Sequence, residues 1–77
     1  SLEDELHIWR SNRAKVIRQP VTSVVYDEDL REIAKQLPKT MAQLAEIVGI
    51  ITAQKIGPEI LTIVAKAESR LEHQTLK

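Results

Sequence analysis

No cysteine occurs in the 77 residues, which excludes disulfides and thiolate-held zinc or iron–sulfur centres and gives no sign of an oxidising compartment. Aromatic side chains are nearly absent. Trp9 and Tyr26 stand alone, with no phenylalanine, which counts against modules that stack bases on several aromatics of one sheet face. Neither sign of charge is in excess: eleven basic residues balance eleven acidic ones. Any affinity for nucleic acid or a membrane surface must therefore come from a local patch. No apolar run approaches the ~20 residues of a membrane span, and no signal-peptide pattern is present. Glycine is limited to Gly49 and Gly57, and proline to Pro20, Pro38 and Pro58. A chain of this length buries only ~60% of its unfolded surface, which allows one small core. It reads as an intracellular domain excised from a longer protein, in the cytoplasm or nucleoid if the source is bacterial.

What is present is helical punctuation. Leu2, Leu6, Trp9, Val16 and Ile17 recur on one face of a helix running from Leu2 to about Arg18, which Pro20 should stop. Residues 21–26 are the only β-like stretch. A lone strand has nothing to pair with, so they are expected to form an extended, partly buried connector. Asp27 suits the N-cap of a second helix, with Glu28 and Asp29 at the positive end of its dipole. Leu30, Ile33, Ala34 and Leu37 follow at helical spacing up to Pro38. Thr40 and Gln43 form a capping box for a third helix carrying Met41, Leu44, Ile47 and Val48, with Gly49 as its stop. Thr52 is expected to cap a very short helix ending near Gly57, and Pro58 to open the last. That last helix should turn Ile60, Val64, Ala67 and Leu71 inward, with Leu61 and Ile63 flanking. The expectation is an all-α, compact five-helix bundle with one short helix. It forms a single domain with its core over about residues 2–67 and a polar helical extension over 68–77.

Catalytic and metal chemistry find no support. Asp27-Glu28-Asp29 is explained by capping, and no further carboxylates converge on it. His7 and His73 lack zinc-ligand spacing and read as surface residues. No serine or threonine has a base nearby, and no glycine-rich phosphate loop exists. No metal, cofactor or active site is expected. The cations carry the only interest. Arg13 falls in the middle of the first helix's apolar face and Arg10 on its edge. A buried guanidinium needs an acceptor, and the acidic start of the second helix is the expected one. Lys15 and Arg18 point outward, Lys39 precedes the third helix, and Lys55 belongs to the hairpin before the last. Lys66 and Arg70 form an i, i+4 pair without a compensating acid. These six, Lys15, Arg18, Lys39, Lys55, Lys66 and Arg70, are the candidate nucleic-acid contacts.

The order of residues resembles the HRDC (helicase and RNase D C-terminal) domain. The likeness runs through Leu6-x-x-Trp9-Arg10-x-x-x-Ala14, Pro20 with its valine-rich connector, and Asp27-x-x-Leu30-x-x-Ile33-Ala34. It continues in Pro38-x-Thr40, Leu44-x-x-Ile47-x-Gly49-Ile50 and Gly57-x-x-Ile60-Leu61, covering about residues 2–67. The resemblance implies a five-helix bundle without catalytic activity, C-terminal to a RecQ-type DNA helicase or an RNase D-type exonuclease. Its setting would be DNA repair and recombination. Its partners would be single-stranded DNA or RNA, bound weakly, and the catalytic core of its parent. No membrane is involved, and the isolated domain is expected to be monomeric. The alternative is a protein–protein or intramolecular docking module that contacts no nucleic acid. Two positions depart from the family. Thr22 stands where the family often carries an exposed aromatic, and Gly49-Ile50-Ile51 replaces a Gly-x-Gly hairpin, with the segment up to Gly57 about two residues short. Both changes weaken nucleic-acid contact.

Overall fold

The computed structural model describes the backbone of residues 1–75 and the side chains of residues 1–71. His73 and the end of the polar extension lie outside the described side chains, and residues 76–77 outside the description altogether. Five helices follow in order: α1 (Leu2–Ile17), α2 (Val21–Val24), α3 (Asp27–Gln36), α4 (Met41–Val48) and α5 (Ile50–Thr75). No strand occurs among the described residues.

The ends of these helices follow from local chemistry. The Ser1 hydroxyl accepts from the Asp4 amide at 3.2 Å and caps α1. Thr40 caps α4 by accepting from the Gln43 amide at 3.1 Å, as the spacing predicts. The Gln43 side chain reaches one residue further back than a capping box requires, accepting from the Lys39 amide at 2.7 Å. Gly49 ends α4 at φ 88°, a left-handed conformation open to glycine and strained for a side chain. Asp27 proves to be the first residue of α3 and not its cap. Tyr26 holds that place, its carbonyl accepting from the Asp29 and Leu30 amides at 3.1 Å each. The Asp27 carboxylate is drawn to Arg10 instead.

Three expectations need correction. The 21–26 connector is not extended throughout, because Val21–Val24 closes one helical turn. That turn buries Val24 and the following Val25, and tertiary burial outweighs the β preference of valine. The predicted short helix over 52–57 does not exist as a unit, because α5 runs unbroken through Pro58. Ala53, Ile56, Ile60, Val64 and Ala67 form one buried stripe on both sides of the proline. Burial of that stripe offsets the ~3 kcal/mol cost of an interior proline, and Pro58 itself faces solvent. A Cβ at Gly57 would sit 2.3 Å from the Met41 sulfur, so the flexible, partly exposed Met41 side chain would have to swing aside. The short helix of the five is therefore α2. Lys55, expected in a hairpin, lies on α5.

The third correction concerns α1. Its buried positions are Leu6, Arg10 and Ala14, with Leu2 and Trp9 half-buried. Val16 is 75% exposed and Ile17 41%. Arg10 has entered the core and turned the helix so that its C-terminal valine and isoleucine face outward. At the other end of the chain, Leu71 is exposed and not inward-facing. Leu6, Leu30, Ile33, Leu44, Ile60 and Val64 are the fully buried centre. Helix α5, at 26 residues and ~1.5 Å per residue, sets the 43 Å long axis.

Candidate nucleic-acid interface

Arg10 joins three elements and fixes the frame. Its guanidinium donates to the Val25 carbonyl at 3.0 Å, pairs with Asp27 at 2.5 Å and donates to His7 Nδ1 at 3.3 Å. Arginine has donors only, so His7 Nδ1 is the acceptor in this contact. Arg10 thus finds the expected partner at the start of α3, although it lies at the centre of the buried face and not on its edge. Arg13 does not face the core. It is about one-third exposed and pairs with Glu59 of α5 at 3.6 Å. Arg70 of α5 meets Glu5 of α1 at 2.5 Å. The two pairs show that α1 and α5 lie antiparallel, with residue 5 near residue 70 and residue 13 near residue 59.

Asp27 makes this frame sensitive to acid. The hydrogen bond from Arg10, and then its charge, hold the Asp27 carboxyl below its ordinary value of 3.8. A folded-state value below the unfolded one contributes stability that is complete above the unfolded value. That stability is lost as pH falls through the folded value. Asp29 acts in the opposite sense: burial, and then the charge of Glu28, push its carboxyl upward, so its protonation relieves the folded state on acidification. Through Asp27 the melting temperature should fall below about pH 4, with Asp29 offsetting part of that fall. Asp27→Asn should flatten that acid limb and lower the melting temperature at neutral pH. Thermal denaturation followed by circular dichroism across this range checks both.

The six candidate cations separate into groups. Lys15 and Arg18, in and just after the last turn of α1, are exposed and make no ion pair with any described residue. Lys55 is likewise unpaired. It lines a cleft of about 360 Å³ together with Arg13 and Ile17, whereas Lys15, between those two in sequence, projects from the opposite side of α1. Lys66 is unpaired as well, three turns and roughly 16 Å further along α5. Lys39 lies elsewhere, 3.6 Å from Glu68. Arg70 is not the uncompensated charge that its i, i+4 spacing suggests, since Glu5 neutralises it.

The aromatic question also resolves by position. Thr22 is exposed on α2. Tyr26 is 63% exposed one turn later, which leaves its ring open, but Asp27, Glu28 and Asp29 follow it and repel phosphate. The cleft beside Lys55 was not legible from spacing, because it is assembled from α1, α2 and α5. Among the described residues no three His, Cys, Asp or Glu side chains converge on a possible metal position. No helix among them is long and apolar enough to cross a membrane.

The described residues form a five-helix bundle around a single core, with α1 and α5 antiparallel and joined by ion pairs. The chain belongs to the HRDC family: the model of the HRDC domain matches residues 1–64, and domains of this family are non-catalytic accessories of helicases and nucleases. No curated protein and no solved structure matches the chain.

Proposed function

We propose that this domain weakly binds single-stranded or junction nucleic acid and helps place it for the catalytic core of its parent protein. The parent would be a RecQ-type DNA helicase acting in repair and recombination, or an RNase D-type nuclease. The observation that carries this reading is that Lys15, Arg18 and Lys55 are all exposed and none is held by a carboxylate among the described residues. Lys66 extends the set along α5. Arg70 sits in an exposed ion pair with Glu5 worth ~0–1 kcal/mol, which phosphate can displace, whereas Lys39 is held by the largely buried Glu68. The absence of net charge and the acids beside Tyr26 keep the affinity low.

Fluorescence anisotropy of a labelled single strand tests this. Binding is expected in the non-specific range of roughly 10⁻⁴–10⁻⁶ M, without sequence preference. Three or four phosphate contacts at about −0.7 each give a salt slope of about −2 to −3. Joint replacement of Lys15, Arg18 and Lys55 by alanine should remove most of that slope and leave the melting temperature within about 2 °C, since all three are surface residues. Nanomolar binding, or binding indifferent to salt, would contradict the proposal. A second reading rests on Ile50 and Ile51, both about two-thirds exposed at the start of α5. They suit a protein-docking surface, and a complete absence of binding at low salt would favour it.

A further inference from the structure

Two buried side-chain polar atoms have no hydrogen-bond partner among the described residues, Arg10 Nε and Glu68 Oε1. The Arg10 guanidinium is satisfied through its other nitrogens. Glu68 is not. Its side chain is only 22% exposed, and its Oε2 lies 3.6 Å from the Lys39 ammonium, too far for a hydrogen bond. A carboxylate has acceptor sites on both oxygens, and burying it with those sites empty is costly. Glu68 lies in a groove of about 260 Å³ between α5 and the loop that precedes α4. Leu61, Ala65 and Ser69 line the groove from α5, and Lys39 lines it from the loop. Past Glu68 the concavity continues to the half-buried Leu37 and the exposed Leu71. A carboxylate short of donors thus sits between two aliphatic stretches, roughly 20 Å along α5 from Lys55.

We infer that this groove docks an arginine side chain from an extended segment of a partner protein. Its guanidinium forks across the Glu68 carboxylate in place of Lys39, and aliphatic side chains on either side of it rest on Leu61 and Leu71. The inference is independent of the nucleic-acid reading above, since a carboxylate repels phosphate. Arginine fits where lysine does not. The planar guanidinium offers parallel donors to both carboxylate oxygens, whereas an ammonium acts as a point charge. Lys39 illustrates the difference, because its ammonium already stands beside Glu68 and bonds neither oxygen. Rotation about the last bond of a glutamate is broad and nearly two-fold, so Oε1 can exchange places with Oε2 and meet the fork. Lys39 is 71% exposed, and its departure uncovers the carboxylate without disturbing the core. In an extended segment, residues two apart lie on one face at ~6.6–6.8 Å, which places the aliphatic neighbours two positions from the arginine.

The probe is the peptide acetyl-Gly-Leu-Gly-Arg-Gly-Leu-Gly-amide, titrated into the isotope-labelled chain and compared with the same peptide carrying lysine for arginine. In NMR spectra the amide resonances of Lys39, Glu68 and Ser69 should shift. The arginine peptide should bind about tenfold more tightly than the lysine peptide, the worth of one further charge-assisted hydrogen bond. Glu68→Gln should remove that difference. Glu46→Gln, which takes the same charge from the adjoining surface, should preserve it. The comparison of the two peptides needs no variant, so it decides the matter even if Glu68→Gln unfolds. Equal affinity for both peptides would mean attraction by charge alone and would overturn the inference, as would the absence of shifts at these three residues. If hexathymidylate moves those resonances and the arginine peptide does not, the groove serves nucleic acid and the inference falls. If sedimentation shows a dimer that Glu68→Gln dissolves, the occupant is a second copy of the chain, and the inference falls as well.

Discussion

Arg10→Ala is expected to lower the melting temperature of the domain by on the order of 10–25 °C. The change removes the donor to the Val25 carbonyl, the pair with Asp27 and the bond to His7 together. A buried carbonyl left without a donor costs about 1–3 kcal/mol. Loss of the packed aliphatic stem adds to this, for a total of about 2–5 kcal/mol in a domain expected near the low end of the ~5–15 kcal/mol range. Arg10→Met separates the two contributions. It keeps the volume and loses the donors, so it should recover part of the loss. Asp27→Asn should cost less than either, since Asp27 is 65% exposed and the Val25 bond survives. A melting temperature for Arg10→Ala within about 2 °C of the parent chain would refute the role assigned to this side chain.

The second large effect belongs to the apolar centre, and it distinguishes the packed structure from the periodicity of the sequence. Leu44 is fully buried on the helix that packs chiefly on α5. Leu44→Ala should cost about 2–5 kcal/mol, close to the whole stability of the domain. Val16, placed inward by helical spacing, is 75% exposed, so Val16→Ala should stay within about 0.5 kcal/mol. Chemical denaturation of the pair reads both numbers. If Val16→Ala unfolds the domain while Leu44→Ala does not, α1 packs through the face that the spacing indicates and not through Arg10.

Much of this domain can be read from local signals because they are local in origin. Thr40 with Gln43 and the glycine stop at Gly49 act within a few residues of themselves, and each occurs where the sequence indicates. The stripe of Leu30, Ile33 and Ala34 in α3 and that of Ile60, Val64 and Ala67 in α5 follow the same logic, since one helical period aligns them whatever lies opposite. The family pattern across residues 1–64 is likewise a property of residue order.

What spacing could not decide was decided by elements distant in sequence. Arg10 goes inside because the Val25 carbonyl and Asp27 wait there, some fifteen residues away, and its entry turns Val16 and Ile17 outward. The valine-rich connector coils because a single turn buries Val24 and Val25, a gain that no strand partner offers. Helix α5 continues through Pro58 because its buried stripe keeps register on both sides, so tertiary burial outweighs one lost hydrogen bond. Arg70 and Lys39 look free in sequence and are paired by Glu5 and Glu68. The cleft of Arg13, Ser23, Thr52 and Lys55 exists only because three helix ends meet. By itself the sequence determined α1, α3, α4, the later part of α5, several of their ends and the family, but not α2 or the continuity of α5. Only the tertiary structure decided which cations remain free and which helix ends meet in a cleft, because pairing and clefts depend on distances between helices that spacing along one helix does not encode.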